Sequence, residues 1–349
     1  MDGKVFVENE WDTLREVVVG DVYDAHLPKW DKINKYSMPK GQWDKLPKEL
    51  KLEKNRKYPK NLVKKAEKAL DSLLRILESA NVVIHRPEKV SYSSSFKTPA
   101  WNSKTGFCAA NPRDVLFIVG DKMIEAPMPD RGRYFEVWAY RTLLNRFFKN
   151  GAKWISAPKP MLLDNCYSNS KKNKFVINEC EPCFDAADFV RAGDIIIGQL
   201  SHVTNQLGAE WLKRLLEPKY KIVMLETLDS YAVHIDTSLL PVSSNQLLVN
   251  PHHFDIQQLK QKLPGWELLL VDVEMQSLSL AKLGFVSKWI GMNVLMLDEK
   301  HIIVEQTQKK FISKLKNWGF EPIPCDFLAY YPFGGGLHCA TLDIRRGKQ

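Results

Sequence analysis

Nowhere do apolar residues run on for anything like the roughly 20 positions a membrane-spanning helix needs, so no membrane partner is expected. Cysteine is scarce. Six thiols (Cys108, Cys166, Cys180, Cys183, Cys325 and Cys339) in 349 residues are too few for a disulfide framework, and free thiols are expected. The opening MDGKVFVENEW lacks the apolar stretch of a secretory signal and the acid-poor, arginine-rich character of a transit peptide, which points to the cytoplasm. Cys180-Glu-Pro-Cys183 lacks a second ligand pair, since Cys325 and Cys339 do not repeat its spacing, so it is given neither a metal nor a redox role. Acids fall short of bases, 41 against 50, and the resulting charge of +9 raises the question of nucleic acid. No nucleic-acid module is visible, and the lysines of Lys60–Lys68 and Lys309–Lys316 suit the wet face of amphipathic helices. No nucleic-acid partner is expected, and the basic surface is assigned instead to steering anionic groups such as an amino-acid carboxylate.

What is present is one unit used about five times. Amphipathic periodicity predicts helices near Lys60–Ala80, Tyr134–Lys149, Val203–Leu216, Asp255–Leu263 and Gln306–Trp318, each followed by an apolar run of strand character. Gly151, Gly265 and Gly319 stand where a left-handed residue closes a helix. Ahead of four helices lie paired apolar runs parted by a turn, beginning at residues 114, 189, 237 and 293, and LREVVVG supplies a strand before the first helix. Tyr92–Thr98 and Ser168–Lys174 read as loops. The repeated strand, strand, helix, strand unit predicts a single α/β domain over residues 1–349 with a closed, quasi-symmetric architecture. Asp114, Asp185 with Asp188, and Asp236 with His234 stand beside first strands of successive units, so in a ring they would meet near the axis.

Three places could carry chemistry. Gly334-Gly335-Gly336-Leu337-His338-Cys339 puts a candidate nucleophile just beyond glycines that suit close approach of backbone; its bland alternative is a buried structural thiol. His234 and Asp236 in AVHID share a face if the segment is a strand, and an imidazole beside a carboxylate stays basic enough for proton transfer. Asp185 and Asp188 in FDAADF sit three apart in an apolar frame and need a cation or donors, for which a guanidinium is the natural partner; capping or turn bonding is the plain alternative for Asp188. His252-His253 reads as a surface pair.

The words FDAADF, HID, SKWIGMNVLMLDE and GGGLHC, in this order, together with LREVVVG, NPRDVLFIVG, EAPMPDRGRYFE and CATLDIRR, resemble the glycine amidinotransferase family over almost the whole chain. The resemblance implies a five-bladed α/β propeller of the pentein type, a homodimer, and a site with no metal or organic cofactor. It implies Cys339 as nucleophile, with its pKa lowered by a cationic site, His234 as general acid and base, and Asp185 as the acid accompanying the histidine. Asp114 and Asp236 match carboxylates that grip the guanidinium of L-arginine, and Ser287 a residue near the bound arginine. The implied reaction is ping-pong transfer of the amidino group through Cys339 to an acceptor amine, with release of L-ornithine. The chain departs from glycine-using members at Tyr231 and Val233, where they carry Asn and Met, at Val286 in place of a serine, and at His253 in place of an arginine that helps hold the substrate carboxylate. These departures predict an acceptor larger than glycine, an amine of secondary metabolism of the saxitoxin or cylindrospermopsin type. The competing readings are glycine as acceptor, an arginine deiminase-type hydrolase, and a non-catalytic basic binding protein.

Overall fold

The computed structural model describes residues 4–28, 32–37, 56–168, 174–271, 286–287 and 289–347. Most of the loop expected at Ser168–Lys174 lies outside them, as does Lys288 of the SKW word. All five predicted helices form, with shifted ends. Lys60–Ser79 buries Ala66, Ala69, Leu70, Leu73 and Leu77, spacings of three and four that keep one stripe on the core. The second splits: a 3-10 turn at Glu136–Tyr140 carries Glu136 inward before the helix Arg141–Lys149 starts. Gln206–Leu216 begins three residues later than expected because Asn205 caps it, its Oδ1 accepting from the Gly208 amide at 2.9 Å. Asp255 caps Ile256–Lys262 through the Gln257 and Gln258 amides. Gln306 likewise lies outside the last helix, Lys309–Asn317. Gly151, Gly265 and Gly319 take the left-handed conformation at φ +96°, +85° and +92°.

The strands build five three-stranded sheets among the described residues. In four of them the first two strands are antiparallel and the third, reached through a helix, lies parallel to the second. They are Leu116–Val119, Lys122–Glu125 and Lys153–Ser156; Phe189–Ala192, Ile195–Gln199 and Lys221–Leu225; Leu239–Pro241, Gln246–Val249 and Glu267–Leu270; and Leu295–Met296, His301–Glu305 and Glu321–Cys325. In the fifth, Leu14–Val19 pairs in parallel with Val83–His85 across the first helix, and its antiparallel partner is the C-terminal strand Thr341–Arg346. Both ends of the chain thus complete one unit. The segment expected as a loop at Tyr92–Thr98 is irregular except at Phe96–Lys97, which pairs with Asn102–Ser103 in a short hairpin. Its turn is tied by the Thr98 hydroxyl, which accepts from the Ala100 and Trp101 amides. No described helix is long and apolar enough to cross a membrane.

A buried charge cluster joins these units. The segment before Leu14 bridges to Arg345, Gly120 and Ala192 through Phe6, Val7 and Asn9. Beside them Glu10 accepts from Arg191 at 2.8 and 2.7 Å, lies 3.4 Å from Arg113 and 3.2 Å from His338. Asp343 takes Arg113, Arg191 and Arg346 at 2.9, 3.0 and 2.8 Å. Burial opposes ionisation of Glu10, but Arg191, Arg113 and His338 prevail and hold its carboxyl well below the usual range. Glu10→Gln leaves those cations undercompensated, and urea denaturation is expected to show a loss of about 3–5 kcal/mol. A depressed carboxyl pKa gives stability that is present above the unfolded value near 4.3 and is lost as pH falls through the folded one, so the variant should also lose part of the wild type's acid sensitivity.

Candidate active site

Cys339 is buried, held by Asn293 at both ends: its amide donates to Asn293 Oδ1 at 3.0 Å, and Asn293 Nδ2 donates to its Sγ at 3.2 Å. The glycines explain themselves here. Gly334 is left-handed at φ +85°. A Cβ on Gly335 would fall 2.2 Å from Asn111 Oδ1 and 2.6 Å from Cys339 Cβ, and one on Gly336 would fall 2.7 Å from Asn293 Oδ1. The Sγ donates to Asp236 Oδ2 at 3.3 Å. The expected lowering of the thiol pKa is not found: burial, then the Asp236 charge, push it up to about 12, against a hydrogen bond from His234 that pulls it down. The resting sulfur is a thiol.

His234 does not lie on a strand. It precedes a 3-10 turn, Ile235–Thr237, with φ +60° and ψ 115°. For a residue with a Cβ this conformation is strained, at about 1–3 kcal/mol. The strain turns both ring nitrogens onto acids: Nε2 lies 2.9 Å from Asp185 Oδ2 and Nδ1 3.6 Å from Asp114 Oδ1. Burial pulls the imidazole pKa down, but Asp114 and the Asp185 hydrogen bond overcome it and raise it well above its ordinary value. Asp185 follows a stretch packed on the helix Gln206–Leu216, where a Cβ on Gly208 would meet the Cys183 carbonyl oxygen at 2.2 Å. Its amide donates to Thr204 Oγ1 at 3.3 Å. Burial raises its own pKa.

Acids from three units therefore meet around one sulfur. One ligand atom each from Asp114, His234 and Cys339 lie within 4.8 Å of one another, and these are the described side chains whose chemistry could hold a metal ion. Asp114 also faces Arg133 at 2.9 Å, though without an aligned hydrogen bond, so neither of its oxygens accepts one from a described residue. Asp185 Oδ1 and Asp236 Oδ1 are equally unpartnered. Four buried carboxylate oxygens thus accept no aligned hydrogen bond, the two of Asp114 being ion-paired with Arg133 and His234, and they make sense where a ligand brings N–H groups in a plane. Above them opens a cavity of about 620 Å³ with Cys339, His234 and Asp185 in its lining, while Asp114 and Asp236, expected to grip the guanidinium, lie behind these and outside the lining. A shallower pocket of about 360 Å³, walled by Phe135, Trp138 and Trp154, is lined by neither cysteine nor histidine.

Comparison with known proteins shows the family of the chain. No family model matches the chain. It is 42% identical over 344 residues to an L-arginine:L-lysine amidinotransferase from Pseudomonas savastanoi pv. phaseolicola, covering 97% of this chain and 93% of the relative. It is 38% identical over 354 residues to the mitochondrial glycine amidinotransferase of Gallus gallus, covering 97% and 82%. The chain belongs to the amidinotransferase family. Among solved structures, SxtG, an amidinotransferase of the saxitoxin biosynthetic pathway of Microseira wollei, superposes with a TM-score of 0.90 at 47% identity over 99% of this chain and 98% of that one.

In this amidinotransferase the remaining expected residues fall into two groups. Ser287, Tyr231, Val233 and His253 all line the cavity, Tyr231 at its half-open side. Of the expected surface pair, His252 is exposed and His253 half-buried, but both line the cavity: His252 stacks on Trp289 at 5.2 Å, and His253 Nδ1 lies 2.6 Å from Ser238 Oγ and its Nε2 3.8 Å from Asp229. Asp188, expected to touch substrate, does not reach the cavity. Gln199, Ser201 and Thr204 occupy its carboxylate at 2.9, 2.5 and 2.6 Å, and burial raises its pKa to about 6. Since Thr204 also takes the Asp185 amide, Asp188 braces the turn that presents Asp185.

Two residues that sequence reasoning passed over matter as much. Arg133 forms a two-pronged pair with Glu136 at 2.7 and 3.0 Å and faces Asp114 at 2.9 Å and Asp185 at 3.9 Å. Asn293 fixes Cys339. Both stand inside words quoted for the family resemblance, DRGRYFE and SKWIGMN, and the signal available was a charged or amide residue in an apolar frame with no local partner.

Proposed function

We propose that this amidinotransferase takes the amidino group of L-arginine onto Cys339, releases L-ornithine, and passes the group to an amine larger than glycine in a ping-pong cycle. The observation that carries this reading is the set of four carboxylate oxygens of Asp114, Asp185 and Asp236 that accept no aligned hydrogen bond around one buried sulfur. A guanidinium offers planar N–H donors that match such oxygens. Its charge offsets Asp236, the carboxylate that raises the thiol pKa, so binding of the cation favours loss of the thiol proton to solvent. The sulfur then adds to the guanidinium carbon, and His234, held protonated, donates to the departing nitrogen. An incoming amine gives one proton to His234 and resolves the thiouronium. The five sheets are assigned to blades of a closed five-bladed pentein propeller, supported by the pairing of Thr341–Arg346 with Leu14–Val19. We assign the enzyme to the cytoplasm as a homodimer that uses no metal or organic cofactor.

A larger acceptor is supported by the room available and by Tyr231, Val233 and His253 in the cavity wall. An acceptor of toxin-type secondary metabolism fits the likeness to SxtG. With L-arginine and a panel of primary amines including glycine, L-lysine and bulkier amines, ornithine should form in step with a guanidino product. Citrulline as the main product would make the enzyme a hydrolase, and glycine turned over as well as any larger amine would sink the acceptor reading. Tyr231→Asn with Val233→Met is expected to raise kcat/KM for glycine on the order of 10-fold relative to the preferred amine.

A further inference from the structure

Asn111 immediately precedes the short helix Pro112–Val115 that carries Asp114, and it is 1% exposed. Its Nδ2 donates to the Phe333 carbonyl at 2.9 Å, which fixes which end of the amide is which, because a carbonyl can only accept. Its Oδ1 is left with no donor among the described residues. Oδ1 is itself buried, but Asn111 is among the residues lining the cavity, and Oδ1 and Cys339 Cβ crowd the same bare Cα of Gly335. The Tyr330 hydroxyl, donating to the Ala110 carbonyl at 2.6 Å, pins the backbone just before it. A neutral acceptor is thus held rigidly close to Cys339, across the bare Cα of Gly335.

We propose that Asn111 Oδ1 accepts the spectator N–H of the nitrogen that joins or leaves the amidino carbon, and that it thereby restricts the enzyme to primary amines. This rests on the amidino-Cys339 reading above. When an amine attacks the amidino-enzyme, its lone pair forms the C–N bond and the C–S pair returns to sulfur. One of its protons passes to His234. A primary amine has a second N–H to offer Asn111, which also points the lone pair at carbon. A secondary amine has spent its only hydrogen on His234 and leaves the Asn111 oxygen buried and unpaired. In the reverse direction the bond from Asn111 is made by the Nε–H of arginine.

The test needs no knowledge of the natural acceptor, because L-ornithine discharges the amidino-enzyme back to arginine. Amidino-Cys339 is loaded with L-arginine, freed of ornithine, and discharged with L-ornithine or with Nδ-methyl-L-ornithine while intact mass is followed. The wild type should discharge at least about 10-fold faster with ornithine. Asn111→Leu should slow ornithine by roughly 10- to 100-fold and leave the methylated amine unchanged, so that the preference disappears. Asn111→Ser, with a smaller side chain, should give the same pattern and covers the case in which the leucine variant fails to fold. A preference that survives in the variants, as steric exclusion of the methyl group would produce, overturns the assignment; so does an equal fall with both amines, which would mark a structural role. A wild type that never loads arginine would instead overturn the amidino-Cys339 reading itself.

Discussion

Cys339→Ala protein mixed with L-arginine is expected to keep its unmodified mass, while the wild type gains one amidino group and releases one ornithine per site, and steady-state transfer should fall by about 10⁴-fold or more. The size of the effect follows from the geometry. The sulfur is fixed at its amide and at Sγ by one side chain, Asn293, and sits over carboxylates with acceptor oxygens to spare. No other thiol shares that setting: Cys108, Cys166, Cys183 and Cys325 are buried elsewhere with burial raising each pKa, and Cys180 is exposed. Because the resting thiol pKa is pushed up to about 12, modification by a neutral alkylating reagent should be slow in the free enzyme at neutral pH. A guanidinium ligand that cannot react should accelerate it if deprotonation follows cation binding. An amidino adduct on the alanine variant would place the nucleophile elsewhere.

Much of this site was legible because its signals are local. The repeat showed itself through helix periodicity and closing glycines, features set by a few adjacent residues, and the meeting of Asp114, Asp185 and Asp236 followed from placing equivalent strand ends together. What escaped depended on partners far along the chain. That Thr341–Arg346 completes the sheet of Leu14–Val19 has no local mark, since either run would read the same whatever strand it joined. AVHID alternates as a strand would, but His234 takes a positive φ with its ring nitrogens on two acids of other units, contacts that no local pattern marks. Asp188 looked like a ligand-binding acid because its donors, Gln199, Ser201 and Thr204, lie beyond the next strand turn. The thiol pKa was expected low from a cationic site, but the charges nearest the sulfur include Asp236, and burial adds to its effect.

The pairing of His234 with Asp185 should be the next most sensitive point. Asp185→Asn keeps the size of the side chain but replaces a carboxylate 2.9 Å from Nε2 by an amide. The imidazole loses the partner that orients it and helps keep it cationic, and by analogy with other histidine–carboxylate pairs kcat should drop on the order of 10⁴-fold. The pH dependence separates this from simple damage. A histidine whose folded pKa is raised contributes stability that is fully present below the unfolded value near 6.5 and is lost as pH rises through the folded one. Wild-type stability, followed by urea denaturation, should therefore decline on the alkaline side, and the decline should shift to lower pH and shrink in Asp185→Asn, where only Asp114 still faces the ring. The alkaline limb of the residual activity should move the same way, because the acid that protonates the leaving nitrogen is lost earlier. An unchanged alkaline limb, with activity reduced only in proportion to a fall in folded protein, would mean that Asp185 supports the fold and that the proton at His234 is governed by Asp114 instead.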